Sequence, residues 1–257
     1  MDRDTPDIFH RRQAERRAAL QTSPRRVHDV LRAAIRSGDI RPGQYLVEWQ
    51  LVSEYATSRN AVREALQLLA AEGLVTRGPR EGTRVVGEIV RLPLDDLIRE
   101  QGSPVGIKRL SDREIPSTQP LRKRLQTDAE TLRVIEHLLT FREEPIGVWL
   151  GYYRSSVEQP LGWDECPDLA TAFEHIYGAP LGRIDTTIEA LPCEPRTMRM
   201  LGLDNPVTML VKEHIMYDVH DVPHDVSYCH YRADRVAFNI SSNRLSIRPD
   251  YRRSECA

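Results

Sequence analysis

No stretch of this 257-residue chain is apolar over the roughly 20 residues that a membrane-spanning helix requires. The basic residues within positions 1–22 are not followed by an apolar segment, so this part does not have the pattern of a secretory signal. The four cysteines are scattered, and no two have the CxxC spacing typical of a zinc site. We therefore expect a cytoplasmic protein with reduced thiols, no membrane contact and no cofactor.

Lysine is absent from the first 90 residues, where 15 arginines and 12 acidic residues give a net charge of +3. The rest of the chain has 21 basic and 26 acidic residues, a net charge of −5. A basic part joined to an acidic part is typical of a nucleic-acid-binding domain attached to a second domain.

Capping residues and apolar periodicity predict three helices in the basic part. Ser23 and Pro24 begin the first helix, which Gly38 ends. A short helix follows over residues 48–55, and Ser58 caps a third. Two short strands are expected beyond it, joined by a turn that contains Gly78, Pro79 and Gly82. Three helices and a hairpin in this order indicate a winged helix-turn-helix.

The third helix has the side chains that suit the major groove of DNA. Arg59 and Arg63 offer a fork of donors that matches guanine, and Asn60 can pair with adenine in the same way. Backbone amides and Ser58 at the helix N-terminus suit a phosphate group. A solvated surface with ordinary charges would have a similar composition.

The whole segment resembles a known DNA-binding family. Residues 24–86, including IRSGDIRPGQYL, TSRNAVREALQLLAAEGLV and EGTRV, are similar to the winged helix-turn-helix of the GntR family of regulators. The resemblance implies that Arg59, Asn60 and Arg63 lie in the major groove and that Gly82 lies at the wing tip. It also implies a homodimer that reads a palindromic operator in double-stranded DNA.

The sequence departs from that family before the second helix. Where the family has Pro-Ser-Glu-Arg, this chain keeps the acid as Glu48 and has Trp49 in place of a DNA-contacting arginine. Trp49 either stacks on the sugar-phosphate backbone or packs within the domain. The candidate DNA-binding residues are Glu48, Trp49, Ser58, Arg59, Asn60, Arg63, Arg80, Gly82 and Thr83.

Strands separated by helices predict an α+β fold with an antiparallel sheet for the second part. Strands are expected over residues 134–141, 146–153, 184–190, 207–217 and 226–232, and helices over 169–177 and 195–201. The predicted organisation is a basic N-terminal arm (1–22), the winged helix-turn-helix (23–88), a linker (89–105), the second domain (106–245) and a tail (246–257).

Residues 107–240 resemble the effector-binding UTRA domain of the HutC branch, which has the fold of chorismate lyase. The stretches that carry the resemblance include Glu143-Glu144-Pro145-Ile146 and Tyr231-Arg232-Ala233-Asp234-Arg235. Strand alternation places polar and aromatic residues together on faces that suit a small-molecule pocket. The candidate effector-binding residues are His137, Trp149, Tyr153, Asp225 and Tyr231.

The resemblance also implies which effector to exclude. The relatives bind an anionic group with an Arg-x-Arg pair, and the corresponding positions here are His137 and Leu139. A glutamate of the relatives falls at Trp149, and a later one becomes Asp225. The loss of two charge-assisted donors, each worth about 1.5–3 kcal/mol, predicts that the effector is not a sugar phosphate. We expect a less charged or aromatic compound.

Three alternatives remain open at this stage. Four histidines within seventeen residues, His214, His220, His224 and His230, raise the question of a metal site. The implied fold of a lyase raises the question of whether the protein is an enzyme, although the sequence has no nucleophile–base pair and no phosphate loop. Because the pocket residues differ from those of the relatives, a third alternative is an architectural DNA binder whose second domain only dimerises. We expect a transcription regulator and not an enzyme. Because most regulators of this family are repressors, we expect a repressor.

Overall fold

A computed structural model describes residues 23–78, 82–94, 105–154 and 169–240 of the chain. Within these ranges no helix is both long and apolar enough to cross a membrane. The described residues form an α+β structure with a small helical part, a six-stranded sheet and a two-stranded ribbon.

The first part has the element order of a winged helix-turn-helix. Its elements are α1 (Pro24–Ser37), β1 (Tyr45–Leu46), α2 (Glu48–Glu54), α3 (Arg59–Ala71), β2 (Val75–Gly78) and β3 (Gly82–Val85). The strands form an antiparallel sheet in the order β1-β3-β2. Its core contains one apolar face of each long helix, because Val27, Leu31 and Ile35 of α1 pack with Val62, Leu66 and Leu69 of α3.

The helix boundaries follow the predicted caps, with one correction. Gly38 ends α1 in the left-handed region at φ 85°, as its position predicts. The Ser58 hydroxyl accepts a hydrogen bond from the Ala61 amide at 3.2 Å, which confirms it as the cap of α3. Ser23 occupies the N-cap position of α1, but its side chain makes no capping hydrogen bond. There the start depends on Pro24, whose fixed φ suits the first helical turn.

The second part is built on one antiparallel sheet in the order β5-β6-β7-β10-β9-β8. Its strands are β5 (Val105–Pro116), β6 (Thr131–Phe141), β7 (Glu144–Arg154), β8 (Leu181–Pro192), β9 (Thr208–Asp218) and β10 (Pro223–Arg232). The predicted hairpin between β6 and β7 is present, with Arg142 and Glu143 at its turn, both at positive φ.

One helix lies on one face of this sheet, and two helices lie on the other. They are α4 (Gln119–Leu125), α5 (Leu169–Tyr177) and α6 (Pro195–Met200). Phe173 of α5 packs with Met216 of β9. Leu125 and Leu121 of α4 pack with Val226, and Met198 and Met200 of α6 pack with Val211. Alternation places Met216 on the opposite face from Val211, so α5 lies on one face and the other two helices lie on the other.

A parallel two-stranded ribbon connects the two parts. It consists of β4 (Val90–Pro93) and β11 (Val236–Asn239), and the Val90 amide donates to the carbonyl of Arg235 at 2.7 Å. Residues 90–93 were expected to belong to a linker, and here they form a strand instead. The reason is that β11 pairs with one edge of this segment and that Val90 and Leu92 pack on the large sheet, while Arg91 faces away from it.

The first helix rests on this ribbon. Ala237 of β11 packs against the core of the helical part, and Arg32 donates to the carbonyl of Ala233 at 3.4 Å. The guanidinium of Arg32 also lies 2.9 Å from Glu72, whose other carboxylate oxygen lies 2.6 Å from Nε2 of His28. The ribbon is therefore sandwiched between α1 and the six-stranded sheet.

Candidate functional site

The exposed surface of α3 brings the predicted DNA-reading residues together. Arg59, Arg63 and Gln67 follow each other at intervals of four residues, so they form one row along the helix. Asn60 is also exposed, three residues before Arg63. The opposite side of α3 is buried in the core. These polar side chains therefore face solvent from a rigidly held helix.

Glu48 has an internal partner in the structure. Its carboxylate accepts from Arg77 of β2 at 2.9 Å, and Arg77 also donates to the backbone carbonyl of Arg63 at 3.4 Å. Arg77 thus joins the start of α2 to α3 and the wing. This geometry gives Glu48 a positioning role beside the candidate interface. Sequence reasoning did not identify Arg77, because its role depends on two contacts between distant residues.

The wing requires a correction for one predicted residue. Gly82 has φ 78°, the left-handed region in which a side chain would be strained, so glycine suits the turn. The Thr83 side chain is buried, and that of Arg84 is exposed. Because side chains alternate along a strand, Thr83 faces the domain core, and the outward cation of β3 is Arg84. Arg80 lies outside the described residues.

Trp49 projects into solvent from α2. It is 64% exposed, which excludes the interpretation that it packs within the domain. Tyr45 on the neighbouring strand β1 is 59% exposed. Both exposed rings belong to the helical part that carries the α3 row.

The five predicted effector residues lie on one face of the six-stranded sheet. The strand register pairs His137 with Trp149, Tyr153 with Asp225, and Tyr231 with Gly147. Side chains that are directly opposite in a sheet share a face. We call this surface the effector face and define it by His137, Trp149, Tyr153, Asp225 and Tyr231.

Aromatic rings dominate the effector face. The rings of His137 and Trp149 are stacked with centroids 4.9 Å apart. An added Cβ at Gly151 would lie 2.6 Å from Cζ of Tyr153, so glycine at this position makes room for the buried Tyr153 ring. Tyr231 meets the ring of Phe238 edge-on at 5.2 Å. The ribbon therefore covers one end of the effector face.

Buried polar groups lie between these rings. The carboxylate of Asp225 is fully buried; it accepts a hydrogen bond from the Ser227 hydroxyl and lies 3.5 Å from the Tyr177 hydroxyl of α5. Burial of a carboxylate requires such partners, because desolvation is costly. Polar groups held inside an aromatic face are a common feature of small-molecule sites.

Two further residues of this face were missed as candidates. Lys212 and His214 of β9 are 3% and 1% exposed, and they lie opposite Cys229 and Ser227 in the register. The Lys212 ammonium donates to the Leu94 carbonyl at 2.7 Å and lies 5.6 Å from the centre of the Phe238 ring. Alternation along β9 places both on the face of Cys229, and that signal could have identified Lys212.

The four clustered histidines do not converge. His214 lies on the effector face, whereas His230 follows Cys229 by one residue and lies on the other face, where burial lowers its pKa. His224 is held by Asp218, with 2.9 Å between Nε2 and the carboxylate. In the described parts of the chain, no three histidine, cysteine or acidic side chains are grouped as metal ligands.

Comparisons with known proteins agree with this architecture. Residues 24–85 match the family described as bacterial regulatory proteins, gntR family, and residues 100–237 match the UTRA domain. The chain is 24% identical over 230 residues to the uncharacterized HTH-type transcriptional regulator RB1450 of Rhizobium meliloti, with 85% of this chain and 94% of that protein covered.

Solved structures have the same fold. The crystal structure of PhnF from Mycobacterium smegmatis is 22% identical with a TM-score of 0.57, over 85% of this chain and 99% of that one. The effector domain of PhnF alone is 19% identical with a TM-score of 0.50, over 60% of this chain and 99% of that one. With the UTRA match spanning more than half of the chain, the protein belongs to the UTRA family and is a GntR-family transcription regulator with a UTRA effector-binding domain.

Proposed function

We propose that this regulator represses transcription by binding, as a homodimer, to a palindromic operator in duplex DNA. The observation that carries the proposal is the exposed row of Arg59, Arg63 and Gln67 on a helix whose other side is fully packed. Such a helix fits the major groove, where arginine can pair with guanine. Arg84 of the wing and the exposed ring of Trp49 would extend the contact to the adjacent backbone.

Dimerisation follows from the small size of one winged helix. A single helical part offers few base contacts, and two copies related by a twofold axis read two inverted half-sites. The operator would then be an inverted repeat. Because the target is chromosomal DNA, we place the protein in the cytoplasm.

A small molecule bound at the effector face would control this binding. The buried Asp225, His214 and Lys212 offer polar groups of both signs among aromatic rings. Leu139, at one of the two positions where relatives have anion-binding arginines, is fully buried in an apolar cluster. We therefore propose an aromatic or weakly charged effector and not a sugar phosphate. Tight binding of glucosamine 6-phosphate in a thermal-shift assay would contradict this part of the proposal.

The ribbon provides the path between the two sites. Its strand β4 follows the wing after only four residues, and the Val86 and Gly87 amides both donate to the Leu74 carbonyl. A movement of β4 on the sheet would therefore move the helical part. Since coupling is reciprocal, operator DNA should change effector affinity by the same factor as the effector changes operator affinity.

In-vitro selection from random duplex DNA with the full-length protein tests the proposal. We expect enrichment of one inverted repeat and binding as a dimer in analytical ultracentrifugation. Enrichment of a single, unrepeated site would contradict the palindrome, and absence of any enriched sequence would favour an architectural DNA binder. We also propose that the protein binds its effector without catalysing a reaction. Turnover of chorismate by the full-length chain would contradict this.

A further inference from the structure

A cleft lies between the C-terminal half of α1 and the ribbon, beside their contact at Ala237 and on the side of the ribbon that faces away from the effector face. Its volume is about 630 Å³, which lies within the range of about 300–1,000 Å³ typical of small-molecule sites. The cleft is lined on one side by α1 and its C-terminal turn and on the other by the ribbon and Ile240. Ligand sites are found preferentially at such domain boundaries.

Two arginines line this cleft from opposite domains. Arg36 lies in the last turn of α1, and Arg91 lies at the outward position of β4. Both are exposed, and neither forms an ion pair with any residue that the structure describes. The one acid that lines the cleft, Asp39, accepts a hydrogen bond from the Ser37 hydroxyl at 2.5 Å. The cleft thus has an excess of positive charge.

The remaining wall of the cleft is largely apolar. Val30 is 42% exposed, and the side chains of Ala33 and Ala34 lie beside it on the same helix. Ala237, on the outward side of β11, forms the facing wall. An apolar surface next to two arginines suits a compound with a flat apolar body and one acidic group.

We propose that this cleft is a second ligand site, separate from the effector face, which binds a small aromatic carboxylate. The carboxylate is held between Arg36 and Arg91, and the ring lies against Val30 and Ala237. Because the two arginines belong to different domains, the bound compound bridges them and stabilises the present arrangement of the helical part on the ribbon. A ligand in this site therefore biases the position of the helical part, through which we propose that the effector face is coupled to operator binding.

Calorimetric titration of the full-length protein with benzoate tests this site in the absence of DNA, so its outcome is independent of the operator. Benzamide serves as the uncharged control, and inorganic phosphate as an anion without an apolar body. We expect benzoate to bind with a Kd of about 10 mM or tighter, and both controls to bind at least about tenfold more weakly. Arg36→Gln and Arg91→Gln should each weaken benzoate binding by about tenfold or more.

Two control variants separate this site from others. Arg199→Gln changes an exposed arginine of α6, and Asp225→Asn changes the effector face; both should retain benzoate binding. No detectable binding of benzoate at about 10 mM, which corresponds to a weak interaction, would overturn the proposal. Binding that survives both cleft substitutions, or that is lost only in the Asp225 variant, would overturn it as well.

Discussion

The Nζ atom of Lys212 lies 2.7 Å from the carbonyl oxygen of Leu94, which joins the effector face to the strand that leaves the helical part. The Leu94 amide donates in turn to Asn239 at 2.9 Å, so this residue is held by both the sheet and β11. A compound that engages the Lys212 ammonium would compete with the Leu94 carbonyl. In our proposal this hydrogen bond would connect effector binding to the position of β4.

Replacement of Lys212 by methionine should destabilise the protein by about 1–3 kcal/mol, because the Leu94 carbonyl loses a charged donor. Urea unfolding of the full-length protein measures the change. The matched control is Lys108→Met on the edge strand β5, an exposed position where we expect a change within about 0.5 kcal/mol. Equal effects of the two substitutions would show that the Lys212–Leu94 contact does not contribute to stability.

Substitutions of two neighbouring residues of the wing, Arg84 and Thr83, should have different effects on operator binding. Arg84→Ala should weaken operator binding and reduce the slope of log K against log salt by about 0.9, because one phosphate contact is lost. Thr83→Val should leave operator affinity unchanged, because this side chain is buried. Fluorescence anisotropy at several salt concentrations distinguishes the two, and a larger loss for Thr83→Val would reverse our assignment of the wing.

The helices of the first part were predictable because their signals are local. Ser58 and Gly38 mark helix ends through their own side-chain and backbone properties, and both were placed correctly. The ribbon was not predictable, because β4 and β11 are four residues each and come from distant parts of the chain. Their pairing depends on packing between the sheet and α1, for which a single sequence has no local signal.

The candidate sites likewise combine features that local sequence patterns predict with features that depend on tertiary structure. Alternation predicted which residues share a face within each strand, and the strand register shows that His137, Trp149 and Asp225 of three strands lie on the same face of the sheet. The misplaced residue, Thr83, depended on the register of the wing, which residue types alone do not determine. Similarly, the exposure of Trp49 could not be decided from the sequence, because tryptophan suits both a core and a surface that meets DNA.

Gly151→Ala should destabilise the sheet by about 1–3 kcal/mol, because the new methyl group would overlap the buried ring of Tyr153. The comparison that isolates this contact is the same substitution in a Tyr153→Ala background, where the ring is absent. There the cost of Gly151→Ala should become much smaller. A cost that is equal in both backgrounds would mean that glycine is required for another reason.

Asp218 should make stability depend on pH in the acid range. The hydrogen bond from His224, with further ones from the Val222 and His220 amides, lowers the pKa of the Asp218 carboxyl from its usual 3.8 to about 2. A lowered carboxyl pKa contributes stability that is present above the unfolded value and is lost as the pH falls towards the folded value. The stability contributed by Asp218 should therefore decrease between about pH 4 and pH 2.

The Asp218→Asn variant provides the comparison for this pH dependence. Its urea midpoint should lie below that of the unchanged protein at pH 5, and the difference should diminish as the pH approaches 2. A difference that stays constant over this range would show that the charge of Asp218 does not contribute. A difference that increases as the pH falls would contradict the direction of the pKa shift.

Operator affinity of the α3 variants tests the central claim most directly. On the duplex recovered by selection, Arg59→Ala and Arg63→Ala should each reduce the free energy of operator binding by about 1–3 kcal/mol, because the arginines pair with bases. Arg199→Ala on the distant helix α6 should cause no measurable change. Circular dichroism and unfolding of each variant show whether the fold is retained. We predict large, sequence-dependent losses of affinity for both α3 variants. Unchanged affinity in both would mean that α3 does not face the DNA and would contradict the account.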